Sequence, residues 1–173
     1  MFTLKRHYLQ WLLLVSLIMG IDQLSKILVL ENLYSGENIV IHPLFNLVLV
    51  FNRGAAFSFL ADQSGWQHYF FSAFALLVSV ILLRLLYQHR RQSTTAFPLS
   101  LILGGALGNV IDRLRLGHVV DFIDIHWKNY HWPAFNIADS AICFGALLIL
   151  WSCLRSQSKS KHANTAKSTL PDA

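Results

Sequence analysis

Four apolar runs separated by shorter polar segments dominate this chain. They occupy residues 8–30, 69–86, 97–111 and 135–154. A spanning helix needs about 17–25 predominantly apolar residues to cross a hydrocarbon layer of ~30 Å, so each run predicts a transmembrane helix. The third run is short for that thickness. It is expected to begin earlier, at Thr94 or Thr95, or to sit in locally thinned lipid. Lys5, Arg6 and His7 ahead of the first run give it the outline of a secretory signal. No small-residue cleavage site follows, and apolar character resumes at residues 27–30, so the run is expected to remain as a first span. Asp22 and Lys26 interrupt it four residues apart, on one helical face, and are expected to neutralise each other near the helix end where water is close. In the third run Gly104 and Gly108 form a G-x-x-x-G pair that lets a neighbouring helix approach.

The segment between the first two runs has a different period. Residues 39–41 and 45–51 are β-branched and aromatic, with breaks at Pro43 and Gly54, which predicts short strands at the membrane surface. The fold class expected is therefore an all-α membrane protein with four transmembrane helices and a small extracytoplasmic β element between helices 1 and 2. Residues 1–155 are expected to form one four-helix membrane domain. Residues 156–173, rich in Ser, Lys and Thr without periodicity, are expected to be a disordered cytoplasmic tail.

Composition and charge sharpen this picture. The 173 residues are 54% hydrophobic and 13% charged, with mean hydropathy +0.46, against roughly 25% charged residues in a soluble domain. A net charge of +5 could point to nucleic acid, but the basic residues lie in short clusters between apolar runs rather than along one polar face, so no nucleic acid is expected. Those clusters report orientation. Lys5, Arg6, Arg84, Arg90, Arg91, Arg155, Lys159, Lys161 and Lys167 fall on one side of a four-span chain, and the positive-inside rule makes that side the cytoplasm. Both termini are then inside, and residues 31–68 and 112–134 outside. Cys143 and Cys153 lie about 15 Å apart on one helix, too far to pair. Neither a redox nor a metal role is expected of them.

The acidic residues carry the candidate chemistry. Of nine, only Asp172 falls on the inner side; Asp22, Asp112, Asp121, Asp124 and Asp139 sit in strongly apolar surroundings. Ionisable groups at membrane depth are costly and are usually paired or functional. Asp139, near the start of the fourth run, is favoured as an anion by the helix dipole; the alternative is that Asn136 or Asp139 merely caps the helix. Asp121, within Val119-Val120-Asp121-Phe122-Ile123-Asp124, is expected to have its pKa raised by desolvation; the alternative is a turn or cap at a loop edge. Two carboxyls in unlike environments suit acid/base hydrolysis, one taking a proton from water and the other polarising a carbonyl. Arg113 either pairs with a carboxylate or holds a substrate oxygen, or its side chain snorkels to the interface. His118, His126 and His131 match no standard metal spacing and are read as interfacial histidines, so neither metal nor cofactor is expected. No serine-nucleophile elbow, His-Glu-x-x-His or phosphate loop occurs.

Five blocks together carry a resemblance. Asp22-Gln23-Leu24-Ser25-Lys26, Asn52-Arg53-Gly54-Ala55-Ala56-Phe57, Gly108-Asn109-Val110-Ile111-Asp112-Arg113, Val119-Val120-Asp121-Phe122 and Phe135-Asn136-Ile137-Ala138-Asp139 resemble, in order and spacing, the motif set of the bacterial lipoprotein signal peptidases, or type II signal peptidases. The blocks span nearly the whole membrane portion, none departs from the family pattern, and only the tail is uncovered. The resemblance implies an aspartic endopeptidase of the bacterial inner membrane that removes signal peptides from lipid-modified prolipoproteins, cutting before a diacylglyceryl-modified cysteine. It implies Asp121 and Asp139 as the catalytic pair and Asn52, Asn109, Arg113 and Asn136 as substrate-site residues. Asp22, Lys26 and Asp112 are implied as structural support. A monomer embedded in the bilayer is expected, with its active site on the extracytoplasmic side. Read from the residues alone, two other classes compete. A proton- or ion-coupled carrier would place its acids near the midplane in repeated halves, and no repeat is visible. A non-catalytic scaffold would not need so many carboxylates at one surface.

Overall fold

The computed structural model describes residues 2–53 and 67–168 of the chain. Helix α1 (Phe2–Asn32) leads into strands β1 (Asn38–His42) and β2 (Phe45–Asn52); helices α2 (Gln67–His89) and α3 (Ser93–Leu116) follow. Strands β3 (Val119–Trp127) and β4 (Tyr130–His131) then precede helix α4 (Ile137–Ser168). The portions of the four helices long and apolar enough to span a membrane are His7–Asn32, Tyr69–His89, Ser93–Leu116 and Ile137–Arg155. The expected strand break at Gly54 and the motif residues 54–57 lie outside the described residues, as do residues 169–173 of the tail.

Helix α3 is the centre of the bundle. Buried residues make up 61% of its most apolar stretch, against 22%, 22% and 11% for α1, α2 and α4, and its glycines admit two of its neighbours. A Cβ on Gly104 would stand 2.9 Å from Ile18 Cβ of α1, and one on Gly108 would stand 2.6 Å from Asp22 Oδ2. Gly105 lies instead against the backbone carbonyl of Ala138 in α4. The G-x-x-x-G pair thus seats α1, and the glycine between them seats α4. Val15, Leu82, Leu86, Ala96, Leu99 and Leu103 close the core among α1, α2 and α3.

Three features differ from the hydropathy reading. Helix α3 starts early, at Ser93, in line with the start expected at Thr94 or Thr95, but it also continues past Ile111 through Asp112 and Arg113 to Leu116, a stretch that the hydropathy reading assigns to the outer segment. It stops at Gly117, whose left-handed φ of 76° lets its N–H reach Arg113 O at 3.1 Å. The β element is not confined to the segment between α1 and α2. β2 pairs antiparallel with β3, giving one sheet in the order β1-β2-β3-β4. Finally, the α4 backbone stays helical to Ser168, where composition alone predicts irregular chain. The chain there lacks glycine and has no proline before Pro171, so nothing local stops a helix already nucleated in the membrane. The sheet docks on the end of α1 through Val29, Leu33, Leu49, Val120 and Phe122.

Candidate active site

Asp139 occupies the third position of α4, and Asn136 caps the same helix. Asp139 N–H donates to Asn136 Oδ1 at 2.9 Å, while Asn136 N–H donates to Asp139 Oδ2 at 3.3 Å. This is a reciprocal capping box. The cap therefore exists, but it uses only part of the carboxyl. Asn109 Nδ2 of α3 donates to Asp139 Oδ1 at 2.8 Å, and the half-buried side chain also borders a cavity. Donors on both oxygens and the N-terminal end of the helix dipole suit a carboxylate.

Asp121 lies on β3, neither in a turn nor at a cap. Val119, Val120, Asp121 and Phe122 are all buried, because the strand is covered by α1 on one side and by the chain entering α4 on the other. Phe135 pairs with Ile123 there, its carbonyl accepting from Phe122 and Ile123 N–H at 3.0 and 2.8 Å. The β2–β3 register shifts between Leu47 and Val50, setting Asp121 opposite Val50. Asn52 Nδ2 donates to Asp121 Oδ2 at 3.0 Å, and Asn136 Nδ2 donates to Oδ1 at 2.7 Å. Burial pushes the Asp121 carboxyl up to about 7, and the negative charge of Asp139 pushes the same way; the two asparagine donors and Lys26 oppose them. Asp121 is thus protonated below neutrality, as its apolar sequence context predicts.

A buried ionic layer lies beneath the pair. Lys26 Nζ meets Asp22 Oδ2 and Asp112 Oδ2, each at 2.8 Å, and donates to Asn109 Oδ1 at 2.9 Å. All three charged residues are 3% exposed or less. The Asp22–Lys26 pair therefore forms as the spacing predicts but away from water, in a dry layer that only further hydrogen bonds make tenable. Asp22 Oδ1 accepts from Ala138 N–H at 2.9 Å, Asp112 Oδ2 accepts from Val120 N–H at 3.2 Å, and Asp112 Oδ1 accepts from Gln23 Nε2 at 2.7 Å. Asp112 and Arg113 remain helical because α1 and the site satisfy them. An outer loop would have left them to solvent.

Above this layer is a cavity of about 440 Å³. Asn52, Asn109, Arg113, Asp121, Asp139 and Ser140 form its polar side, and Val119, Trp132, Phe135 and Ile142 belong to its apolar wall. The Arg113 guanidinium sits 5.6 Å from the Phe71 ring centroid and feels Asp139, Asp121 and Asp112; it does not snorkel away. Asn136 is placed differently from the other sequence-derived site residues. It is 0% exposed, with its amide committed to Asp121, Asn109 Oδ1 and Val120 O, so it orients a carboxyl and does not border the cavity. Asp124 stands apart, accepting from Asn46 Nδ2 at 2.8 Å and lying 2.9 Å from His131 Nδ1. Among the described residues no three His, Cys, Asp or Glu side chains gather as metal ligands; His126 stacks on His131, and His118 packs on Phe51. Burial and the charge of Arg53 hold His118 below its ordinary pKa. Gln23, Trp132 and Ser140 were missed as site residues. Gln23 stands inside a motif block, but nothing local marks Trp132.

Comparison with known proteins gives the family. A family model described as "Signal peptidase (SPase) II" matches residues 14–155. A lipoprotein signal peptidase of Janthinobacterium sp. (strain Marseille) is 47% identical over 154 residues, covering 89% of this chain and 93% of that protein. One from Azoarcus sp. (strain BH72) is 53% identical over 147 residues, covering 85% and 84%. A solved bacterial membrane enzyme, determined by the in meso method at 2.3 Å resolution, superposes with a TM-score of 0.74 at 31% identity, covering 87% of this chain and 90% of its own. The family match over residues 14–155 and the relatives at about half identity, on a chain with four helices long and apolar enough to span a membrane, show that this chain belongs to the signal peptidase II family of membrane proteases.

Proposed function

We propose that this chain removes signal peptides from lipid-modified prolipoproteins by aspartic catalysis, cutting before a diacylglyceryl-modified cysteine, with Asp121 and Asp139 as the catalytic carboxyls. One observation carries the reading: the two aspartates, from β3 and α4, border one cavity in unlike environments, and the buried one holds its proton up to about pH 7. Asp139, as carboxylate, takes a proton from a water that attacks the scissile carbonyl carbon. Asp121 gives its proton to the carbonyl oxygen as the tetrahedral intermediate forms. Asp139 then protonates the departing amide nitrogen, and Asp121 recovers its proton as the carbonyl re-forms. Both carboxyls end as they began. Asn52 and Arg113, on the polar side, contact the substrate backbone. The apolar wall formed by Val119, Phe135 and Ile142 suits a lipid-bearing residue beside the bilayer.

The enzyme works as a monomer in the bacterial inner membrane, with both termini cytoplasmic and the site outside, as the distribution of basic residues supports. Carboxylates gathered at one end of the bundle, together with the family match, leave a carrier without support. The test is purified protein in detergent incubated with lipidated precursor. Release of the signal peptide is expected, and intact precursor alongside folded enzyme overturns the reading.

A further inference from the structure

We infer that Lys26 is a positioning residue for the catalytic pair, the buried hub that fixes the orientation of the Asn109 amide and anchors the two segments bearing Asp121 and Asp139. The inference rests on the two-aspartate reading above and assigns Lys26 more than support of the fold. An ammonium has three N–H donors and no acceptor. Here all three have acceptors at 2.8–2.9 Å: Asp22 Oδ2, Asp112 Oδ2 and Asn109 Oδ1.

Each acceptor passes one contact onward to the site. Asp22 uses its other oxygen to hold Ala138 N–H, the residue before Asp139. Asp112 holds Val120 N–H, the residue before Asp121. Asn109, its carbonyl turned to Lys26, must present its NH₂ to Asp139 Oδ1, at 2.8 Å. A flipped Asn109 amide would put two donors nose to nose with the ammonium and leave Asp139 facing a carbonyl, so the ammonium selects the productive orientation. The same Asn109 oxygen accepts from Asn136 Nδ2 at 3.2 Å, and Asn136 Nδ2 reaches Asp121 Oδ1 at 2.7 Å. Lys26 is therefore one group away from Asp139 through Asn109, and two away from Asp121 through Asn109 and Asn136.

The buried charge has a second consequence. The charged groups acting on Asp121 from the elements packed around it are Asp139 of α4, Lys26 of α1 and Arg113 of α3. Lys26 favours the Asp121 anion, so removing its charge raises the pH at which Asp121 loses its proton.

The experiment measures kcat and KM for lipidated precursor across pH with Lys26→Met and Lys26→Gln, alongside thermal unfolding in detergent. Expected for folded variants are a kcat lower by roughly tenfold or more, a KM within about twofold because Lys26 does not border the cavity, and an alkaline limb of kcat/KM displaced to higher pH. An unmoved alkaline limb in a folded variant, or a loss explained wholly by the unfolded fraction, overturns the inference. Failure of both variants to fold also overturns it, leaving Lys26 a folding residue. Asp121→Asn and Asp139→Asn are assayed in parallel. Turnover near wild type by either removes the two-aspartate reading itself, whereas their large loss of kcat with an unmoved limb in the Lys26 variants removes only this inference.

Discussion

Each aspartate of the proposed catalytic pair is set by a few named neighbours, and the consequences are measurable one residue at a time. Asp121→Asn and Asp139→Asn remove the proton donor and the base. Each is expected to lower kcat by roughly 100-fold to 10,000-fold while the protein still folds and inserts; turnover near wild type by either would break the mechanism. The pH profile follows from the same pair. Asp121 must be protonated, and its carboxyl is held at about 7, so kcat/KM falls as pH rises through that value. On the acid side it falls again as the base acquires a proton, and the two limbs belong to the coupled pair. A chelator is expected to leave the profile unchanged, since neither limb needs a metal; activity lost to a chelator and restored by a divalent ion would favour a metal-dependent hydrolase. Asn136→Ala combines two losses. The helix cap costs about 1 kcal/mol of stability, and loss of the Nδ2 donor to Asp121 moves the alkaline limb upward.

At the scale of elements, the site depends on how closely α3 and α4 approach. Gly105 has the Ala138 carbonyl and Ile142 Cγ1 where a methyl would go. Gly105→Ala must part the two helices, and Asn109 with them from Asp139. Overpacking of this kind costs about 1–3 kcal/mol, read as a lower unfolding temperature in detergent together with lower activity. Gly20 of α1 is the control, with nothing within 4 Å of a built Cβ. Gly20→Ala is expected to stabilise the helix by about 0.5–1 kcal/mol without loss of turnover. Equal damage from both substitutions would show that α3–α4 contact is not what the glycine preserves.

The whole molecule is a four-helix bundle whose sheet closes one end, with the carboxyls beneath it. The nine basic residues segregated to the other end predict its orientation. Reporter fusions after Arg91 and after Arg155 are expected to read as cytoplasmic, and a fusion near Gln63 as external. Any reversed reporter would break the four-span orientation and move the site to the other face.

Hydropathy and acid placement by themselves determined much of this protein. Four runs of apolar residues can be satisfied only as spans, and an aspartate between valines and a phenylalanine announces a desolvated carboxyl, since both signals are local. Tertiary structure alone decided the rest. Asp112 reads as loop until Lys26 and Gln23 of α1, distant in sequence, satisfy it. Residues 119–125 carry a β-branched run that could have marked a strand, but its partner β2 lies across two intervening helices, and pairing at that separation leaves no periodic trace. Asn136 can be recognised as a cap from its position. Its bond to Asp121 could not, because a hydrogen bond between a helix end and a strand exists only after both have been folded against α3.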